Sequence, residues 1–258
     1  MFKKKSVLFS LLGIVIVIVL SACSSDSGQS SGFFTQYFVG PFISLIEWTA
    51  HLFNDNYGLG IIVVTLLIRF ALLPFMLKQY KNQIAMKIKM DALKPEMDSI
   101  QKKIKQTKDP KEQQNLQKEL MGLYQKHGVN PLNMGCLPLL IQMPILMAFY
   151  FAIRDSHEIA THSFLWFDLG QPDIWLTALA GIVYYFQFKL SQANLPAAQA
   201  EQIKFMGLLS PIMIVFVSFS APAALPLYWV VGGLFLILQT YIGRKLYPSP
   251  IAENVAKA

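Results

Sequence analysis

The sequence predicts an all-α membrane protein. Five transmembrane helices surround a hydrophilic groove open to the cytoplasm, with an amphipathic interfacial helix outside and a helical hairpin inside. Three observations lead there. Of 258 residues, 54% are hydrophobic and only 14% charged, against roughly 25% charged in a soluble domain. Apolar runs of near-bilayer length recur along the chain. The net charge of +7 is concentrated in segments that a single topology places inside the cell.

Residues 1–22 read as a lipoprotein signal. Lys3, Lys4 and Lys5 make a basic start, and an apolar core follows from Val7 to Leu20. The tetrad Leu20-Ser21-Ala22-Cys23 resembles a bacterial lipobox, in which the cysteine thiol is lipidated and becomes the mature first residue. The alternative is an uncleaved anchor helix, for which this core is short. The Ser/Gly-rich residues 23–33 then form a flexible outer tether. Cys23 and Cys136 are the two cysteines, and no disulfide is expected between them.

Residues 34–57 carry apolar side chains at helical spacing, with Ser44, Glu47 and His51 on the other side, as in a helix lying in the outer interface. The spans are read at 58–78, 132–153, 174–190, 204–220 and 223–243. Between the last two, Ser220-Ala221-Pro222 demands a tight hairpin. Orientation follows from lysine and arginine. Residues 24–57 contain neither, whereas Lys78 to Pro131 contains twelve lysines. The loop at 154–173 has Arg154 among several acids, and the loop at 191–203 is flanked by Lys189 and Lys204. The tail at 244–258 holds Arg244, Lys245 and Lys257. Every loop fits a mature amino terminus outside and a carboxyl terminus inside, which a cleaved lipoprotein signal also requires.

Residues 79–131 read as the helical hairpin. Ile84, Ile88, Leu93, Met97, Ile100 and Ile104 make one apolar stripe, and Leu116, Leu120, Leu123 and Tyr124 another. Thr107-Lys108-Asp109-Pro110 is the turn, and Pro95 is expected to kink the longer arm.

Arg69 is the outstanding chemical feature. It lies near the middle of the first span, where Arg costs ~3 kcal/mol on insertion scales. None of the five spans contains Asp or Glu. Arg69 is therefore expected to face water, and its central depth argues against a snorkelling anchor. Gln142, Gln187, Ser210 and Gln239 fall in the inner half of their spans, as a cavity wet from the cytoplasm would require. Each Gln serves an interhelical hydrogen bond equally well. Thr65, Thr177 and Ser218 lie in the outer half.

No HExxH, GxSxG or P-loop pattern occurs, and the four histidines lack metal-ligand spacing. An enzyme, a metal site or a cofactor is not expected. A small-molecule transporter or channel is the main rival, but a solute pore should be polar through both leaflets.

The chain resembles the YidC/Oxa/Alb family of membrane protein insertases, in its Gram-positive lipoprotein form. The resemblance spans Phe34 to Leu246. It rests on Gly60-Ile-Ile-Val-Val-Thr-Leu-Leu-Ile-Arg69 with Pro74, Asn130-Pro-Leu-Asn-Met-Gly-Cys-Leu-Pro138, Leu140-Ile-Gln-Met-Pro144 and Leu227-Tyr-Trp229. It implies a groove open to cytoplasm and lipid, closed outside, with one basic residue inside. Arg69 matches that residue, and Thr65, Gln142, Gln187 and Trp229 match other groove positions. The implied activity is insertion of nascent membrane proteins into the bilayer, alone or with the Sec translocon and without a nucleotide. Arg69 attracts the acidic tail of the entering protein. The hairpin is the implied contact for targeting factors or the ribosome. A ribosome contact through the short tail is not expected, nor is sequence-specific nucleic-acid binding.

Overall fold

The structure is a computed structural model. It describes the backbone of residues 34–129, 136–192 and 197–248, and the side chains within these apart from 136–140 and 197–206. The signal, the lipobox at Cys23 and the tether lie outside the described residues, as do 130–135 of the second motif and the end of the tail.

The described residues open near a π-helical turn, Thr35–Val39, that runs into α1, Gly40–Leu52. Helix α2 spans Tyr57–Gln106 and α3 spans Pro110–Lys126. Helices α4 (Cys136–Asp155) and α5 (His157–Thr161) follow. A small antiparallel pair, β1 (Ser163–Phe164) and β2 (Phe167–Asp168), comes next, in register Ser163 to Asp168. Helices α6 (Ile174–Gln192), α7 (Ala197–Ser218) and α8 (Ala224–Leu246) complete the fold. By length and apolarity, α2 and α8 are long enough to cross a membrane, and α7 contains a shorter apolar stretch, Gly207–Ser218.

Local chemistry explains the boundaries. Asn54 and Asp55 adopt left-handed backbone between α1 and α2, a conformation these two residue types tolerate. Asn56 then caps α2, its side chain accepting from the Leu59 amide at 3.0 Å. Gly60 permits the close approach of α1: a Cβ there would stand 2.9 Å from the Ile46 carbonyl oxygen. Asp109 and Pro110 open α3, with the Asp109 carboxylate accepting from the Lys111 amide. Ser156 caps α5 by accepting from the Ile159 amide. The start of α8 is tied to the loop after β2: the Ala223 and Ala224 amides donate to the Gln171 and Leu169 carbonyls at 2.9 and 3.0 Å.

One core joins α1, α2, α4, α6 and α8. Ile46, Ile61, Val64, Phe149, Val183, Leu225 and Tyr228 are buried in it. Full burial of such side chains is worth about 1.5–3 kcal/mol each relative to water. Only part of that gain remains in a bilayer, where close packing and interhelical hydrogen bonds do more of the work. Phe149 is the hinge of this packing: it stacks on Tyr228 at 4.4 Å and meets Phe42 edge-on at 5.3 Å.

Helix α2 is 50 residues long and carries Pro74 and Pro95 inside it. At 1.5 Å per residue it is about 75 Å long, more than twice a ~30 Å hydrocarbon core. Its far half packs against α3 in a separate cluster of Met86, Met90, Leu93, Met97 and Val129, joined by Leu120, Leu123 and Tyr124. The seam on α2 thus steps by four and three residues, which is coiled-coil spacing. The expected stripe differs at one place: Ile88 is 40% exposed, while Met86 and Met90 are buried. Two residues on a helix are rotated by about 200°, so Ile88 and Met90 cannot share a face.

Candidate functional site

The site grows from one residue. Arg69 sits on α2 and is only 7% exposed. Among the described residues no carboxylate lies within ion-pairing distance of it. It opens on a small hollow whose polar walls are Thr65, Arg69, Gln142 and Tyr228, with Ile68, Leu72 and Ile145 as the apolar ones. The hollow holds about 10 Å³, enough for a single water.

Three neighbours surround the guanidinium. Tyr228 shares the hollow with it, and Tyr184 is near enough to feel its charge. Gly232 lies beneath: a Cβ there would stand 2.8 Å from an Arg69 Nη. Tyr228 and Gly232 are four apart on α8 and therefore present one face to α2. The Tyr228 ring is held in turn by its stack on Phe149, and its hydroxyl accepts from Gln142 Nε2 at 2.8 Å. Ring, hydroxyl and glycine together bound the cation on the α8 side.

The sequence-predicted residues divide. Thr65, Arg69 and Gln142 share the hollow. The Thr65 hydroxyl donates to the Ile61 carbonyl at 2.7 Å, so it offers the hollow its lone pairs rather than its proton. Gln187 on α6 is half-buried and Trp229 on α8 is buried, but neither lines the hollow. Tyr228, Tyr184 and Gly232 were not foreseen. One residue along a helix turns the side chain by about 100°, so Tyr228, which shares the hollow with Arg69, and Trp229 point to different sides of α8. The signal was available in the sequence as a hydroxyl-bearing ring followed four residues later by Gly in an apolar run.

Thr177 donates to the Asp173 and Ser218 carbonyls at 2.7 and 3.3 Å. The Ser218 hydroxyl itself is buried without a hydrogen-bond partner among the described residues.

The family model of the 60Kd inner membrane protein matches residues 48–250, well over half of the chain. The chain belongs to this family. Relatives within it carry insertase names. "Membrane protein insertase YidC 2" of Listeria monocytogenes serotype 4b is 51% identical over 246 residues, covering 95% of this chain and 90% of that one. "Membrane protein insertase MisCB" of Bacillus subtilis is 45% identical and covers 90% of each. A crystal structure of an active YidC insertase with its first transmembrane domain resolved superposes with a TM-score of 0.54 at 28% identity. That match covers 87% of this chain and 49% of the other, so this chain spans about half the length of that protein. Residues 48–250 take in all of α2 to α8, so the family match includes the whole of the Arg69 site.

Proposed function

We propose that this chain, a member of a family of membrane protein insertases, moves hydrophobic segments of nascent membrane proteins into the bilayer, and that Arg69 is the group that engages them. The observation that carries this reading is a buried arginine with no carboxylate partner among the described residues, positioned by Tyr228 and Gly232 beside a one-water hollow. A cation so placed is incomplete. An entering Asp or Glu supplies the missing charge. At ~4 Å and an effective dielectric near 20 the attraction is about 4 kcal/mol, from which desolvation must be subtracted.

The wider arrangement supports the same reading. Helices α2, α4, α6, α7 and α8 serve as five spans, with α1 in the outer interface, where Tyr37, Trp48 and Leu52 are exposed. The groove opens toward the cytoplasm, and Gln187 and Trp229 line its approaches outside the hollow itself. Lipid on Cys23 anchors the outer terminus. The α2–α3 hairpin projects into the cytoplasm as the contact for substrates, targeting factors or the ribosome, and the Sec translocon is a partner for longer substrates. Reconstitution of the purified chain alone into liposomes tests the activity. A short single-span substrate should insert without nucleotide. Insertion that appears only when Sec is added would reduce the chain to an accessory subunit.

A further inference from the structure

A second cavity lies away from Arg69, between the end of α6 and the last turns of α8. Its volume is about 310 Å³, at the low end of the ~300–1,000 Å³ typical of small-molecule sites. Leu190, Leu234, Ile237, Leu238, Thr240 and Tyr241 wall it, and Arg244 closes one end. Leu234, Leu238 and Tyr241 are about half exposed or more, so the cavity is a slot in the outer wall of the protein rather than a sealed void.

The two ends of the slot differ in chemistry. Arg244 is half-buried and donates to the Leu190 carbonyl at the end of α6. Guanidinium carries five N–H donors, so this bond leaves most of them available. Among the described residues no carboxylate lies within ion-pairing distance of Arg244. Lys245 beside it is exposed, Lys189 precedes Leu190, and Lys81 stands 5.7 Å from the ring of Tyr247 just beyond. One end is cationic and the rest is mostly apolar, the Thr240 hydroxyl being spent on the Leu236 carbonyl at 2.8 Å. From Arg244 to Leu234 is ten residues, about 15 Å of helix rise, or half of a ~30 Å hydrocarbon core. The slot is therefore one leaflet long.

The geometry points to a bound anionic phospholipid, its phosphate on Arg244 and one acyl chain in the slot. A partner transmembrane helix would need a groove through both leaflets. A free phosphate would have no use for leucine walls. The inference needs α8 to cross the membrane but not the role given to Arg69, so loss of lipid preference and loss of insertion are separable.

The full chain in nanodiscs of mixed phosphatidylglycerol and phosphatidylcholine, released into native mass spectrometry, provides the test. The parent should retain one phosphatidylglycerol in about fivefold excess over its share of the disc, the factor for one cation near an anionic head group. Arg244→Lys should keep most of that preference. Arg244→Gln, which can still donate to Leu190, should lose it. Leu238→Trp, which fills the slot and spares every cation, should lose it too. A phosphatidylglycerol bearing a diazirine on its acyl chain should label the α8 peptide holding Leu238 and Tyr241 in the unmodified protein, which keeps the test independent of variant folding. Equal retention of the two lipids by the parent, labelling elsewhere, unchanged preference in Arg244→Gln or Leu238→Trp, or displacement of the lipid by excess inorganic phosphate would each overturn the assignment.

Discussion

Gly232 and Tyr228 bear on Arg69 in different ways, and each permits a separate prediction. Gly232→Ala would place a methyl 2.8 Å from an Arg69 Nη. The obstructing atom is the tip of a flexible side chain, so the cation moves rather than the backbone. Alanine also gains roughly 0.5–1 kcal/mol of helix stability over glycine. The expected outcome is a melting temperature near that of the parent with insertion of acidic-tailed substrates reduced several-fold. A variant as active as the parent would show that the position of the guanidinium does not matter. Tyr228→Phe keeps the stack on Phe149 but strips Gln142 of its acceptor. An orphaned amide costs about 1–3 kcal/mol, at the low end here because Gln142 is only half-buried. Adding Gln142→Leu should recover most of that stability, which a double-mutant cycle read by thermal unfolding would measure. Arg69 itself was legible because an arginine in an apolar run without acids has few explanations. Its holders were less so. Which of Tyr228 and Trp229 meets Arg69 depends on the rotation of α8 about its own axis, for which the Tyr228–Gly232 spacing is the one cue in an apolar run.

At the scale of elements, α2 joins two regimes in one helix. Its first half carries Arg69 and packs on α8, while its second half packs on α3 through the seam at Met86, Met90, Leu93 and Met97. The helices themselves were legible from periodicity, and the turn at Asp109-Pro110 from its capping chemistry. The register of the seam was not, since methionine and isoleucine alternate closely enough along 84–90 to suggest two faces. The small β1–β2 pair was also missed, because two-residue strands have no period to read. The register makes a sharp prediction. Met90 is 1% exposed and Ile88 is 40% exposed. Met90→Asp should release α3, seen as rapid proteolysis between residues 110 and 126, at a cost of several kcal/mol for an unpaired buried charge. Ile88→Asp should cost less than about 0.5 kcal/mol, the usual range for surface changes, and leave α3 resistant. Equal sensitivity of the two variants would reject the seam. Removing the α2–α3 arm while leaving a polar linker should lower insertion and leave the remaining helices packed.

The whole molecule is a helical membrane protein in which Arg69 is the one buried cation among the described residues. The outer anchor makes its own prediction: mass spectrometry of the mature amino terminus should find diacylglycerol on Cys23, and an intact Met1 would reject it. In the proposed function the charge at Arg69 engages acidic tails from one particular place. The test compares insertion into liposomes of substrates that differ only in whether their translocated tail carries Asp or a neutral residue, at equal levels of each insertase variant. Arg69→Lys should retain most activity, because it keeps the charge while losing the planar fork. Arg69→Ala should lose most insertion of the acidic-tailed substrate and much less of the neutral one. In the alanine background, Gln142→Lys should restore part of the loss because Gln142 lines the same hollow, whereas Gln187→Lys should restore little because Gln187 does not. If Arg69→Ala inserts acidic and neutral tails as well as the parent does, or if Gln187→Lys rescues as fully as Gln142→Lys, the cation at this hollow is not what draws the substrate in.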